Sequence, residues 1–212
     1  MAAPKILLEP GNFYHVYNRG INGCTIYHEK TNYRYFLELY EKHVVPVADT
    51  YAWALLGNHF HFLVKILNPE GFENKPITPN PEGFENLQGL NSNINKHISQ
   101  QFSNLFNSYT KAFNIKYHRT GSLFEHTFKR KYITDETYLQ QLVVYIHTNP
   151  VHHGIAKNIA DYPWTSYLSI LSSKPTNVKR DSVVDWFENC NNFIEVHKQK
   201  VNTELIKDFI IE

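Results

Sequence analysis

The segment GNHFHFLVKI, residues 57–66, alternates apolar and other side chains in the way that a β-strand does. Four apolar side chains share one face of that strand, and they are Phe60, Phe62, Val64 and Ile66. His59 and His61 share the opposite face, where two imidazoles can hold a single metal ion. With 12 histidines in 212 residues the same spacing also arises by chance, so the pair needs support from elsewhere in the chain.

The residues before this strand predict three further elements. NFYHVYNRG alternates as a first strand, and TNYRYFLELYEKHVV repeats apolar residues at helical spacing until Pro46. VADTYAWALL predicts a second strand, which Gly57 and Asn58 connect to the histidine strand as a hairpin. The histidine strand is therefore expected to lie centrally in a sheet.

Two helices and one more strand complete the predicted fold. Apolar residues over 93–114 form one helical stripe, and a basic extended segment follows them. TDETYLQQLVVYIHT predicts another helix, which Pro150 is expected to end. Strand, helix, hairpin, helix, strand and helix in this order predict an α+β fold, a ferredoxin-like sandwich with a central antiparallel sheet and helices packed on it.

The chain is expected to form one domain over residues 1–180 and an acidic helical tail over 181–212. The tail carries seven acids against three lysines, a local charge of −4. Within the domain, NPEGFEN occurs at 68–74 and again at 80–86. Because so much proline, glycine and asparagine builds neither a helix nor a strand interior, residues 68–92 are predicted to be a loop insert.

The chain has a net charge of only +1, but the segment at residues 111–131 is locally basic and holds six cations and one acid. The cations are Lys111, Lys116, Arg119, Lys129, Arg130 and Lys131. One explanation is a surface that follows a phosphate backbone, with Tyr117 stacking on an unpaired base. The other is a solvated charged loop. We favour DNA, because six cations so close together repel one another without an anionic partner.

Cysteine content and hydropathy bear on the compartment. Cys24 and Cys190 are too few and too far apart for a disulfide framework or a cysteine zinc site, so free thiols are expected. The first residues lack the apolar core of a signal peptide, and no stretch approaches the roughly 20 apolar residues of a membrane span. We therefore expect a cytoplasmic protein without membrane association.

A metal ion held by two histidines needs a third protein ligand. Tyr145 and Asn149 lie four residues apart in YIHTNP and so project from one side of a helix. The Asn149 amide can complete a His, His, Asn set at the outer surface of the domain, and Tyr145 can attack a metal-bound phosphate. The simpler interpretations are that Tyr145 is a core aromatic residue and that Asn149 ends its helix.

GNHFHFLVK, RTGSLFEHTFKR and YIHTNPVHHGIAKNIADYPWTSY together resemble the REP-associated branch of the single-tyrosine HUH transposases. The resemblance spans residues 11–171 and includes FYHVYNRG. The family's histidine, hydrophobic, histidine motif matches His59, Phe60 and His61. Its tyrosine, four residues before the asparagine of an NP element, matches Tyr145, and Asn149 takes the position of the third metal ligand.

The resemblance implies site-specific cleavage of single-stranded DNA, often folded as a hairpin, through a covalent 5′-phosphotyrosine that leaves a free 3′-hydroxyl. Nitrogen and oxygen ligands together suit Mg²⁺ or Mn²⁺, and Mn²⁺ tolerates two imidazoles better. Arg19, within FYHVYNRG, joins the expected DNA contacts.

Two other functions stay open on the sequence alone. One is a regulatory protein that binds DNA hairpins without transposition activity, and the other is a metal-dependent phosphohydrolase in which water attacks. Whether two chains form a homodimer is also open.

Overall fold

The structure, a computed structural model, describes residues 6–68, 87–125, 127–135 and 137–199. Most of the insert predicted at 68–92, with nearly all of the NPEGFEN duplication, lies outside these residues, as does the end of the tail at 200–212. The helix that follows the insert begins at Leu87, so residues 87–92 are helical and do not belong to a loop.

Four strands form one sheet: β1 (Phe13–Arg19), β2 (Ala48–Leu56), β3 (His59–Ile66) and β4 (Lys129–Ile133). Their order is β2-β3-β1-β4, and every neighbouring pair is antiparallel. Helix α1 (Lys30–His43) follows β1, α2 (Leu87–Lys116) follows β3, and α3 (Thr137–His152) follows β4. This connectivity confirms the predicted ferredoxin-like α+β fold and the central position of the histidine strand.

The sheet separates two hydrophobic cores, because strand side chains alternate between its faces. On one face α1 and α2 cover a largely aromatic core that includes Phe36, Phe60, Phe62, Phe102 and Tyr109. On the other face α3 covers Leu63 and residues of β2, with Val143 and Ile146 among its own buried side chains. The excess of aromatic residues in the composition is thus largely a property of the core.

The first part of the predicted tail packs into the second of these cores. Helices α4 (Tyr167–Leu171), α5 (Arg180–Trp186) and α6 (Cys190–Lys198) follow α3, and Val183, Phe187 and Phe193 are buried with it. The boundary expected at residue 180 therefore does not separate two packing units. Up to residue 199 the acidic helices belong to the domain itself, because their apolar faces complete its core.

A buried chain of hydrogen bonds ties α6 to α3. His147 Nδ1 lies 2.9 Å from His197 Nε2, and His147 Nε2 lies 2.7 Å from Ser166 Oγ. His197 Nδ1 donates to the Phe193 carbonyl at 2.7 Å, which assigns one proton to each bond of the chain. Both imidazoles are neutral in this arrangement.

Pro150 does not end α3, which continues to His152. A proline in the last turn removes one backbone donor, and burial of the helix against the sheet outweighs this loss. The backbone N–H of His153 donates to the Asn149 carbonyl at 3.0 Å, and that of Ile155 donates to Pro150 at 2.8 Å. Asn149 therefore stays within the helix, one turn beyond Tyr145.

None of the helices within the described ranges combines the length and apolar character that crossing a bilayer requires.

Candidate active site

Strand β3 begins with the two histidines of the predicted metal site, and both are buried. His61 is fully buried, and His59 is 7% exposed at the edge of the site. The expectation of a site at the outer surface is therefore wrong. The reason is that α3 lies over this face of the sheet and encloses the imidazoles between two layers.

The hydrogen bonds of His59 define its tautomer. Its Nδ1 lies 2.7 Å from Asn58 Oδ1, and the Asn58 amide nitrogen donates to the Gly23 carbonyl at 3.4 Å. Asn58 Oδ1 is thus an acceptor, so the proton of His59 is on Nδ1 and the lone pair is on Nε2. This lone pair is the group that a metal ion requires.

The amide oxygen of Asn149 is a second acceptor, and it faces the lone pair of His59 Nε2. Its Oδ1 lies 3.4 Å from His59 Nε2, and its Nδ2 is buried without a hydrogen-bond partner among the described residues. Two acceptors that face one another have no proton to share. Ligands about 2.1 Å from one ion and at right angles to each other lie about 3.0 Å apart, so a small contraction would fit this pair to a cation.

His61 supplies a further nitrogen. Its Nε2 is buried and has no hydrogen-bond partner within the described part of the chain. The rings of His59 and His61 are 5.2 Å apart and nearly perpendicular. Burial lowers the pKa of His59 to about 4 and the pKa of His61 well below its ordinary value. Both rings are therefore neutral near pH 7 and can act as ligands.

The donor set fits a divalent ion of the Mg²⁺ or Mn²⁺ type only if the asparagine takes part. Over residues 6–68, 87–125, 127–135 and 137–199, no three His, Cys, Asp or Glu side chains are grouped as a metal site needs. His59, His61 and Asn149 instead offer two nitrogens and one amide oxygen, and the His61 Nε2 is buried without a hydrogen-bond partner among the described residues. Three protein ligands leave further positions of the ion open to a substrate.

Tyr145 lies beside this set, one turn before Asn149. Its ring is 5.4 Å from the His61 ring and meets it edge-on at 82°. Only 4% of the tyrosine is exposed, so it belongs to the core and to the site at the same time. The structure therefore brings together all four residues predicted for metal binding and catalysis, and a single chain supplies them.

Sequence reasoning did not place His15 or His153 beside the predicted metal ligands. His15 on β1 is fully buried, and its Nε2 lies 2.9 Å from His61 Nδ1. His153, just beyond α3, is exposed, and its ring is 5.0 Å from that of His59. Alternation along FYHVYNRG places His15 on one face of its strand, but only the pairing of β1 with β3 shows which histidine it meets.

The basic strand β4 divides its cations between the two faces of the sheet. Lys129 and Lys131 pair with Tyr17 and His15, so they lie on the face of the metal site. Arg130 lies on the opposite face, where it is 7% exposed, stacks on Phe128 at 4.2 Å and donates to Ser99 at 3.4 Å. Its place in the core argues against the predicted phosphate contact.

The remaining expected DNA contacts lie outside β4. Arg19, at the end of β1, forms an ion pair with Glu125. Lys111 is exposed, Lys116 pairs with Glu29, and Arg119 lies 5.8 Å from the centre of the Phe113 ring. Lys111 and Lys116 lie on α2, and Arg119 lies just after it. All three therefore belong to the helical layer on the opposite side of the sheet from the histidines.

Tyr117 is not the exposed stacking residue that was expected. Its hydroxyl donates to Glu29 and Asn32 at 2.8 Å, and its ring lies against Phe113 and His28. These contacts join the end of α2 to the beginning of α1, so the ring has a structural role. The predicted basic segment is therefore not one continuous surface.

Comparison with solved structures shows the fold. A REP-associated tyrosine transposase, solved bound to a REP hairpin, is similar over 82% of this chain and 88% of its own, with 16% identity and a TM-score of 0.54. A bacterial Thg1-like tRNA(His) guanylyltransferase, solved with GTP, covers 74% of this chain and 72% of its own at 13% identity and a TM-score of 0.36. No family model and no curated protein matches the sequence.

Proposed function

We propose that the chain is a metal-dependent, site-specific endonuclease and strand transferase that acts on single-stranded or hairpin DNA with Tyr145 as its nucleophile. The observation that carries this proposal is the opposition of His59 Nε2 and Asn149 Oδ1 across 3.4 Å, next to the orphaned Nε2 of His61. A cation is the ligand that relieves such a set of acceptors, and a tyrosine one turn away is the group that can use it.

The reaction is a transesterification at phosphorus. Mg²⁺ or Mn²⁺ held by His59, His61 and Asn149 would supply Lewis acidity to a phosphate oxygen. The phenol oxygen of Tyr145 attacks the phosphorus and forms a phosphotyrosine with the 5′ end of the released strand. The bond from phosphorus to the 3′-oxygen breaks, and the phenol proton is transferred in net terms to that oxygen. A second 3′-hydroxyl can reverse the step, so joining needs no ATP.

The geometry around the site supports DNA as the substrate. Lys129 and Lys131 are on the same sheet face as the histidines, where they can contact the phosphates of a strand that enters the site. The neighbour of similar fold is a transposase bound to a hairpin, which supports a hairpin ligand for this chain too. Such an activity would place the protein with the genome in the cytoplasm. One chain holds all four proposed site residues, so the site does not require a second copy. A homodimer stays a prediction.

Trapping of a covalent product tests the proposal. Wild-type protein with Mn²⁺ and single-stranded DNA from hairpins that flank its gene should yield an adduct on Tyr145, identified by peptide mapping. Tyr145→Phe keeps the ring packing and should abolish both adduct and cleavage while DNA affinity is kept. Tyr138→Phe, seven residues earlier on the same helix, is the matched control and should cut normally.

The same experiment separates the alternative functions. Cleavage without an adduct, or efficient cutting by Tyr145→Phe, would assign the attack to water and make the protein a phosphohydrolase. Tight hairpin binding with no cleavage under any metal would indicate a regulatory binding protein. Either result would overturn the proposed role of Tyr145.

A further inference from the structure

His15 makes a hydrogen bond whose direction decides whether His61 can bind a metal. The planes of the two rings are inclined by 9° to each other, and their centroids lie 5.1 Å apart. His15 Nε2 and His61 Nδ1 are 2.9 Å apart, so the contact is an in-plane hydrogen bond between ring edges. One of the two nitrogens carries the proton and the other presents its lone pair.

Only one direction leaves His61 competent as a ligand. If His61 Nδ1 donates, the lone pair of His61 is on Nε2, the nitrogen that has no partner among the described residues. If His15 Nε2 donates, His61 Nε2 carries a buried N–H with no acceptor in that part of the chain, and the ring cannot bind an ion through it.

The other histidine ligand has a matching arrangement. Asn58 Oδ1 accepts the Nδ1 proton of His59 at 2.7 Å and so leaves its Nε2 as the lone-pair nitrogen. Metal-binding histidines generally donate the proton of the nitrogen that does not bind metal to a fixed acceptor. In this chain an asparagine oxygen serves one ligand, and His15 stands where the other acceptor should be.

We propose that His15 is a positioning residue, which accepts the Nδ1 proton of His61 and holds that ring in the orientation and tautomer needed to bind the ion. The proposal rests on the metal site of the proposed function. It assigns His15 no contact with the substrate or the ion. Tyr17 lies over the His15 ring at 4.7 Å and Tyr145 meets it edge-on at 6.5 Å, and both contacts help to hold it in place.

The tautomer can be measured in the metal-free protein. In ¹⁵N-labelled wild-type protein, long-range ¹⁵N–¹H correlations should place the His61 proton on Nδ1. His15→Gln offers an amide oxygen as acceptor, and His15→Leu has similar bulk without one. Mn²⁺ affinity, measured by electron paramagnetic resonance, should fall about 10–100-fold in His15→Leu. In His15→Gln the Mn²⁺ affinity should stay within a few-fold of wild type.

Three results would overturn the proposal: a His61 proton on Nε2 in wild type, wild-type Mn²⁺ affinity in His15→Leu, or equally weak binding by the Gln and Leu variants. If neither variant folds, the wild-type spectrum alone decides. Failure of the proposed function is recognised separately, because wild-type protein would then bind no Mn²⁺ while the His61 tautomer remains measurable.

Discussion

His59 and Asn149, 90 residues apart in the chain, face each other through two hydrogen-bond acceptors separated by 3.4 Å. The acceptor on His59 follows from its bond to Asn58, and Asn149 reaches this point because its helix continues past the proline. The juxtaposition therefore joins the strand and the helix at a point suited to a cation. Its consequences can be measured with and without metal.

Substitutions at Asn149 should change the response to metal in opposite directions. Asn149→Asp places a buried charge beside two neutral imidazoles, so the metal-free protein should melt at a lower temperature and gain more from Mn²⁺. For wild type, Mn²⁺ at 100 times its Kd should add about 2.7 kcal/mol of stability. In Asn149→Leu, Mn²⁺ should not raise the melting temperature measured by thermal denaturation. A full Mn²⁺ effect in the Leu variant would exclude the amide as a ligand.

Alanine at the two histidines should have unequal effects on stability and equal effects on metal binding. His61→Ala leaves a cavity in the core and an unpartnered nitrogen on His15, and we expect a loss of about 2–3 kcal/mol. His59→Ala, at the edge of the site, should lose about 1 kcal/mol. Urea denaturation measures the loss of stability, and Mn²⁺ titration measures the loss of metal binding. Mn²⁺ binding by the double variant as tight as in wild type would refute the site.

The division of β4 between two faces predicts different roles for adjacent cations. Neutralising Lys129 and Lys131 to Gln should weaken binding to single-stranded DNA and reduce the salt dependence of log K by about 0.7 for each phosphate that the protein ceases to neutralise. Arg130→Gln is the control on the same strand, and it should lower stability and leave the salt slope unchanged. Binding isotherms at several salt concentrations test this, and equal slopes for all variants would show that β4 does not contact DNA.

Stability should fall as the pH drops below about 6.5, because buried neutral histidines must gain protons on unfolding. Burial lowers the pKa of His197 to about 4 and the pKa of His147 well below its ordinary value. Well above pH 6.5 these histidines carry no extra proton in either the folded or the unfolded state, so their contribution to stability is fully present. From there toward pH 4 each such group removes about 1.4 kcal/mol per pH unit.

His197→Phe tests this contribution, since a phenyl ring can keep the packing on Phe193 without titrating. Urea denaturation between pH 7.5 and 5 should show a shallower pH dependence in the variant than in wild type. An identical slope in both proteins would mean that the pKa of His197 is the same in the folded and the unfolded state.

The sequence alone determined those features that depend on local periodicity. Alternation along residues 57–66 placed His59 and His61 on one face, and a spacing of four placed Tyr145 and Asn149 on one side of a helix. The order of strand and helix signals was enough to predict the antiparallel sheet, because few topologies connect such elements without crossing.

Tertiary structure alone decided which of these faces meet and what lies behind them. His15 became the partner of His61 through the register of β1 against β3, in which Tyr17 stands opposite His61. Arg130 entered the core because β4 pairs it with Val16, whose side chain lies in the aromatic core. The acidic helices joined the domain because their apolar faces complete its second core. Strand register and layer packing consist of contacts between residues that are distant in the sequence, and a local pattern does not specify which distant residue a side chain will meet.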